Sequence, residues 1–154
     1  MDNIIGSDNP FTDDERNLLR QVAGLIIPAS NQYNVPGADD ETIFGRILVL
    51  AAGAAETLKF QLEAFENLAA KRHKECFSNL DKADKITLLK DTTNSNFLNR
   101  MIMYTAECYY ADGRVLESIN LKSTPPFPGG YELEQGDWSL LDPVRKRKPL
   151  YKKV

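Results

Sequence analysis

Between Asp39 and Ala70 apolar residues return every three or four positions: Ile43, Ile47, Leu50, Ala54, Leu58, Leu62, Phe65 and Ala69. That spacing is the period of one face of an α-helix. Phe44, Leu48, Ala51, Ala55 and Leu68 widen the stripe beyond the narrow seam of a coiled coil, so the segment must bury itself against other helices. Asp39, Asp40, Glu41 and Thr42 place acceptors and negative charge where the first backbone N–H groups of a helix point outward. Lys71, Arg72, His73 and Lys74 supply cations for the negative end of the helix dipole. A single helix over this span would be about 45 Å long, too long for a small domain unless it bends. Gly53, inside Ala51-Ala52-Gly53-Ala54-Ala55, marks either a bend or a close helix contact. One kinked helix or two in sequence are both expected from this pattern.

The flanking segments are helical too. Thr12 and Glu15 form a Thr-x-x-Glu capping box ahead of an apolar face made of Leu18, Leu19, Val22, Leu25 and Ile26, and Pro28 stops that helix. Residues 28–38, with Asn31, Asn34, Pro36 and Gly37, read as a loop. Asp81 caps a short helix carrying Ala83, Ile86, Leu88 and Leu89. After a polar connection from Asp91 to Asn96, Phe97, Leu98, Met101, Ile102, Tyr104, Thr105, Cys108 and Tyr109 describe a helix apolar almost all round, which implies burial on most sides and packing on the long helix. A single helical turn is expected around Val115 to Ile119. From Thr124 to Tyr131 three prolines and two glycines exclude a helix or a central strand, and Leu133 to Pro143 has no sustained period. Phe127, Tyr131, Trp138 and Tyr151 distinguish this stretch from a disordered tail, so it is expected to be an ordered arm lying on the helices or on another protein.

A chain of 154 residues that is 42% hydrophobic has the length of one domain with one core. Its net charge of −3 conceals an asymmetry. Arg145, Lys146, Arg147, Lys148, Lys152 and Lys153 are six of nineteen basic residues, which leaves 13 against 22 acids in the first 144 residues, a net of −9. The basic end reads first as a solvated tail lying on the protein's own acidic body or a partner's, ahead of nucleic acid or anionic lipid. No aromatic-interleaved basic surface supports nucleic-acid binding. The most apolar run, Ile43 to Ala55, is interrupted by Arg46 and is too short to span a bilayer, and Met1 to Ile5 lacks the charged and apolar regions of a signal peptide. A cytoplasmic location is expected, or a periplasmic one if a leader was removed. Cys76 and Cys108 have no metal-ligand spacing and read as two semi-buried reduced thiols, with a single disulfide as the alternative in an oxidising compartment.

Chemistry is sparse. His73, the sole histidine, sits in a Lys-Arg-His-Lys run and reads as a cation at a helix end, since a general base needs a positioned partner and a nucleophile. Cys76 reads as buried beside Phe77 in preference to an activated thiol. Gly53 stands alone and Gly129-Gly130 lies in a proline-rich loop, so neither fits the strand-turn-helix of a dinucleotide site. The carboxylates fall mostly in runs at helix starts, which accounts for them without a metal. No catalytic, cofactor-binding or metal-binding residue is assigned.

Several short motifs, in order, nevertheless carry a family resemblance. They are Leu25-Ile26-Ile27-Pro28-Ala29, Pro36-Gly37-Ala38, Phe77-Ser78-Asn79-Leu80 with Leu88-Leu89 downstream, and Tyr109-Tyr110. Pro126-Phe127-Pro128-Gly129-Gly130-Tyr131 and the run from Gly136 to Arg145 extend the series. From about Asp13 to the C-terminal tail the chain resembles the gluconate 2-dehydrogenase subunit 3 family, small subunits that accompany FAD-dependent sugar and alcohol dehydrogenases of the glucose-methanol-choline type. The resemblance implies a non-catalytic helical partner that stabilises or helps mature a larger flavoprotein bearing the FAD and the catalytic residues. Exported members of the family commonly carry a twin-arginine signal, and none precedes Thr12. No haem-attachment Cys-x-x-Cys-His is present either, which sets the chain apart from an electron-accepting cytochrome subunit.

The expected fold is therefore all-α, with about four to six helices in residues 1–123 and an extended, Pro/Gly- and aromatic-containing arm in 124–154. The expected function is that of a small accessory subunit in a hetero-oligomer with a large FAD-dependent sugar or alcohol dehydrogenase or oxidase. A glycoside 3-dehydrogenase is as compatible with it as a gluconate or glucose enzyme. Phe127, Tyr131 and Trp138 are the expected partner-binding residues. The alternative from another class is a free-standing helical protein-binding module, and a third, an enzyme in its own right, would need a site that this sequence does not display.

Overall fold

The structure, a computed structural model, describes residues 9–90, 95–124, 127, 130 and 136–148. It is all-α: seven α-helices and no strand occur among the described residues. The described residues up to Thr124 form one compact unit, and those beyond it are described by themselves.

Helix α1 (Asp13–Ile26) starts as the capping box dictates, with Thr12 Oγ1 accepting from Glu15 N–H and the Glu15 carboxylate accepting from Thr12 N–H. Ile27, forced out of the helical region by Pro28, is extended, and its carbonyl accepts from Ala38 N–H at 2.9 Å. That bond closes the 28–38 loop, which Ser30 and Val35 cross with a single bridge. Gly37 is required here: a Cβ would collide with the Asp39 carboxylate and come within 2.8 Å of the Ala29 backbone nitrogen.

The long stripe resolves into two helices, α2 (Glu41–Ala52) and α3 (Ala55–His73). Asp40 caps α2 by accepting from Thr42 and Ile43 N–H. The last turn of α2 tightens, with Gly53 N–H bonded to Leu50 O at 3.3 Å and Ala54 N–H to Ala51 O at 3.0 Å, and the helix then breaks. Of the two roles open to Gly53, the bend is the one observed, because a Cβ there would meet only Leu50 O at an ordinary 3.5 Å. Helix α3 ends at Lys74, which adopts the left-handed conformation (φ 60°) that favours glycine. Lys74→Gly is expected to raise stability by about 1 kcal/mol, read as a higher urea midpoint at unchanged slope; an unchanged or lower midpoint would show that the lysine's interaction with the helix end outweighs the backbone cost.

A 3-10 turn, Phe77–Asn79, leads into α4 (Lys82–Leu89), capped by Asp81 as expected. Helix α5 (Ser95–Tyr110) packs against α1, α2 and α3, and also against α6 (Gly113–Ser118). The core runs through these contacts: Leu19, Val22, Ile43, Phe44, Ile47, Leu58, Phe65, Phe77, Phe97 and Met101 are all buried. Around Phe65 the rings of Phe77 and Phe97 lie 4.8 and 5.4 Å away, centroid to centroid.

Two expectations need correction. Helix α5 is not buried on most sides: Phe97, Met101, Thr105, Cys108 and Tyr109 face the core, whereas Ile102, Met103 and Tyr110 are exposed. Side-chain apolarity sets what a face can bury, while the number of neighbouring helices sets what it does bury. The arm over 124–154 is expected to be extended, yet Trp138–Leu141 form a 3-10 turn capped by Asp137, followed by α7 (Asp142–Arg145). Single turns are too short to print a period in the sequence.

Candidate functional site

The expected partner-binding residues differ in what can be said of them. Phe127 is 85% exposed and Trp138 64% exposed, while Tyr131 lies outside the described residues, as does Tyr151. Beside Trp138, Leu140, Leu141 and Val144 are exposed as well, so the two turns present apolar side chains to solvent. The 3-10 turn is held by Asp137, whose carboxylate accepts from Ser139 N–H at 3.0 Å. Hydrogen bonding at Ser139 keeps that carboxyl below the usual carboxylate range.

In the helical unit a partly open groove of about 830 Å³ lies between α1 and α3. The capping box places Asp14 and Glu15 in the first turn of α1, on one wall. On the other wall α3 turns Glu56, Lys59, Phe60, Glu63 and Glu66 outward while Leu58, Leu62 and Phe65 face the core. Leu18 and Leu62, both nearly buried, line it, and Phe60 stands in it 74% exposed. Cys76 and Ser78 complete the lining. This region is tied to the core: Phe77 N–H donates to the Glu66 carboxylate at 3.1 Å, and Lys85 Nζ donates to Ser78 O and to Gln21 Oε1.

A tight electrostatic cluster lies elsewhere. Asp112, 3% exposed, caps α6 and bonds the Arg114 guanidinium, which also reaches Asp40 at the start of α2 at 2.7 Å. Arg46 stands 3.7 Å from Asp112. Hydrogen bonding to Arg114 lowers the pKa of both aspartates below the ordinary 3.8, and their carboxylates raise that of Arg114. These contacts fasten α6 to α2; they are structural. A depressed folded-state pKa gives stability that is complete above the unfolded value and is lost as the pH falls through the folded one. Arg114→Ala is expected to cost about 2 kcal/mol at neutral pH, less than a fully buried pair because Arg114 is half exposed. The difference in Tm between Arg114→Ala and the parent should narrow below pH 3.8, and a difference independent of pH would contradict this assignment.

The remaining sequence-singled residues are not brought together. His73 Nδ1 lies 3.4 Å from Asp84 Oδ2, near no nucleophile named above. Cys76 is exposed and not buried beside Phe77, because the chain leaves α3 there and turns only the ring inward. Cys108 is buried on α5, and burial raises the pKa of its thiol, as it does that of the Tyr109 hydroxyl. Both cysteines are free, so the alternative of a disulfide is not realised. No group of three or more His, Cys, Asp or Glu suited to a metal ion occurs among the described residues, and no helix among them is long and apolar enough to cross a membrane. Sequence reasoning missed the groove; its one signal was Phe60, an aromatic that falls between the positions of the buried stripe.

A family model described as gluconate 2-dehydrogenase subunit 3 matches residues 13–129. No curated protein and no solved structure matches the chain. The matched span holds the positions that shape the helical unit: Pro28 after α1, Gly37 where the backbone approaches closely, Phe77 and Leu80 in the core, and Tyr109 at the end of α5. The run from Gly136 to Arg145 lies beyond it. With well over half of its 154 residues inside that match, the chain belongs to the gluconate 2-dehydrogenase subunit 3 family, a family of dehydrogenase-complex subunits.

Proposed function

We propose that this chain is the non-catalytic small subunit of a larger FAD-dependent sugar or alcohol dehydrogenase or oxidase, which it stabilises or helps to mature. Family membership carries the proposal. The character of the groove supports a division of labour: five carboxylates and one lysine line it, so the diphosphate of FAD or the carboxylate of gluconate would meet a repulsive field. FAD does not fit there. In this reading FAD, the substrate pocket and the catalytic residues belong to the large subunit, of the glucose-methanol-choline type, and the sugar and the position oxidised are its properties. A glycoside 3-dehydrogenase is as compatible a partner as a gluconate or glucose enzyme. Exposed Phe127 and Trp138 support a role for the arm in the heteromeric contact.

The test is a tagged purification from the native host at moderate salt with an absorbance spectrum of the eluate. A yellow complex with one large flavoprotein is the expected result. A colourless, monomeric chain would overturn it in favour of the free-standing binding module.

A further inference from the structure

Resting on the accessory-subunit reading, we propose that the groove between α1 and α3 is a docking surface for a basic segment of the catalytic subunit that carries an apolar anchor. Three observations select this occupant. Phe60 leaves most of its ring in water, beside Leu18 and Leu62, so the groove offers an apolar contact that no described residue of the helical unit covers. Carboxylates surround that contact, with Glu56 and Glu63 on the same helix as Phe60, so an entering segment gains by bringing Lys or Arg beside its apolar side chain. The groove, of about 830 Å³, is also partly open to solvent, so a segment of another chain can enter it.

The same features exclude competing occupants. Nucleic acid and anionic lipid would be repelled. A two-fold contact between identical grooves would set one row of carboxylates against another, because an isologous interface brings each patch onto itself. Charge complementarity thus points away from a second groove and toward a basic partner.

Cys76 provides the readout, since it lines the groove and is exposed, whereas the chain's other thiol, Cys108, is buried. In the purified complex, alkylation of Cys76 by a maleimide should be slowed about tenfold or more relative to the free chain. Phe60→Ser should weaken association with the flavoprotein about tenfold. Glu56→Lys with Glu63→Lys should weaken it further and reduce its sensitivity to salt. All three positions are on the groove wall, and far-UV circular dichroism of each variant should match the parent.

Failure of the two proposals is distinguishable. If the parent chain brings down no flavoprotein, the accessory-subunit reading falls and this inference with it. If the flavoprotein is captured but both variants bind it as the parent does and Cys76 reacts equally fast in complex and alone, the groove is not the docking surface while the reading stands. A free chain that is dimeric, with Cys76 already shielded, would assign the groove to a second copy and overturn the inference.

Discussion

Phe65→Ala should lower the stability of the chain by about 3–5 kcal/mol, the range for removing a large aromatic side chain from a tight core. The ring is fully buried, and its neighbours Phe77 and Phe97 belong to different elements, the 3-10 turn after α3 and the first turns of α5. Truncation therefore removes an aromatic contact that links α3 to both. The cavity would be walled by aromatic rings fixed on separate backbones, which limits collapse and places the cost toward the upper part of the range. For a domain of this size that is a fifth or more of a total stability of about 5–15 kcal/mol. Phe65→Leu keeps most of the volume and should cost about 1–2 kcal/mol. Urea unfolding followed by circular dichroism decides it: the midpoint should drop sharply for the alanine variant and modestly for the leucine variant, at equal slope. Equal midpoints for the two would mean that this aromatic junction does not bear the stability assigned to it.

The residues that made the helical unit legible are those whose effect is local. Thr12 with Glu15, Asp40 and Asp81 each satisfy backbone N–H groups within three positions, so their role can be read from spacing alone. The stripe from Ile43 to Ala69 was legible for the same reason, since helix period is a property of one segment. What covers a face is not local. Helix α5 carries Met103 and Tyr110 on a side that no described neighbour shields; Asn96, Asn99 and Glu107 share that side at helical spacing, and their polarity is the one local sign of its exposure. The groove is harder still, because it exists only once Glu15 on α1 and Phe60 on α3 stand across from each other. Cys76 shows the limit at the scale of one residue: a step from Phe77, it points the other way.

The motifs that carry family membership explain why the family was easier to recognise than the site. Pro28, Gly37, Phe77, Leu80 and Leu88 terminate helices, permit close backbone approach or fill the core. None bears chemistry. A subunit whose proposed work is to hold a larger protein leaves its signature in packing, and its contact surface can vary with the partner it fits. Both features proposed to meet the partner, Trp138 on the arm and Phe60 in the groove, are exposed aromatics outside the buried stripes. An exposed aromatic costs the free chain solvation that a partner can recover.

Replacing Phe127 and Trp138 together by alanine should weaken association with the flavoprotein by at least about thirtyfold, the change expected when a central aromatic anchor is lost. Their exposure in the free chain, 85% and 64%, means that the substitutions remove little packing there, so helical content and the urea midpoint should be unchanged. Truncation before Thr124 should give the same binding defect, with the six helices α1 to α6 retained. Binding is best measured by titrating the parent and variant chains against the flavoprotein at two salt concentrations. Loss of apolar anchors lowers affinity by a similar factor at both, whereas the charge reversals in the groove act mainly at low salt. If the double variant binds as the parent does, the arm takes no part in the complex, and Phe60 remains the aromatic anchor to be tested on the helical unit.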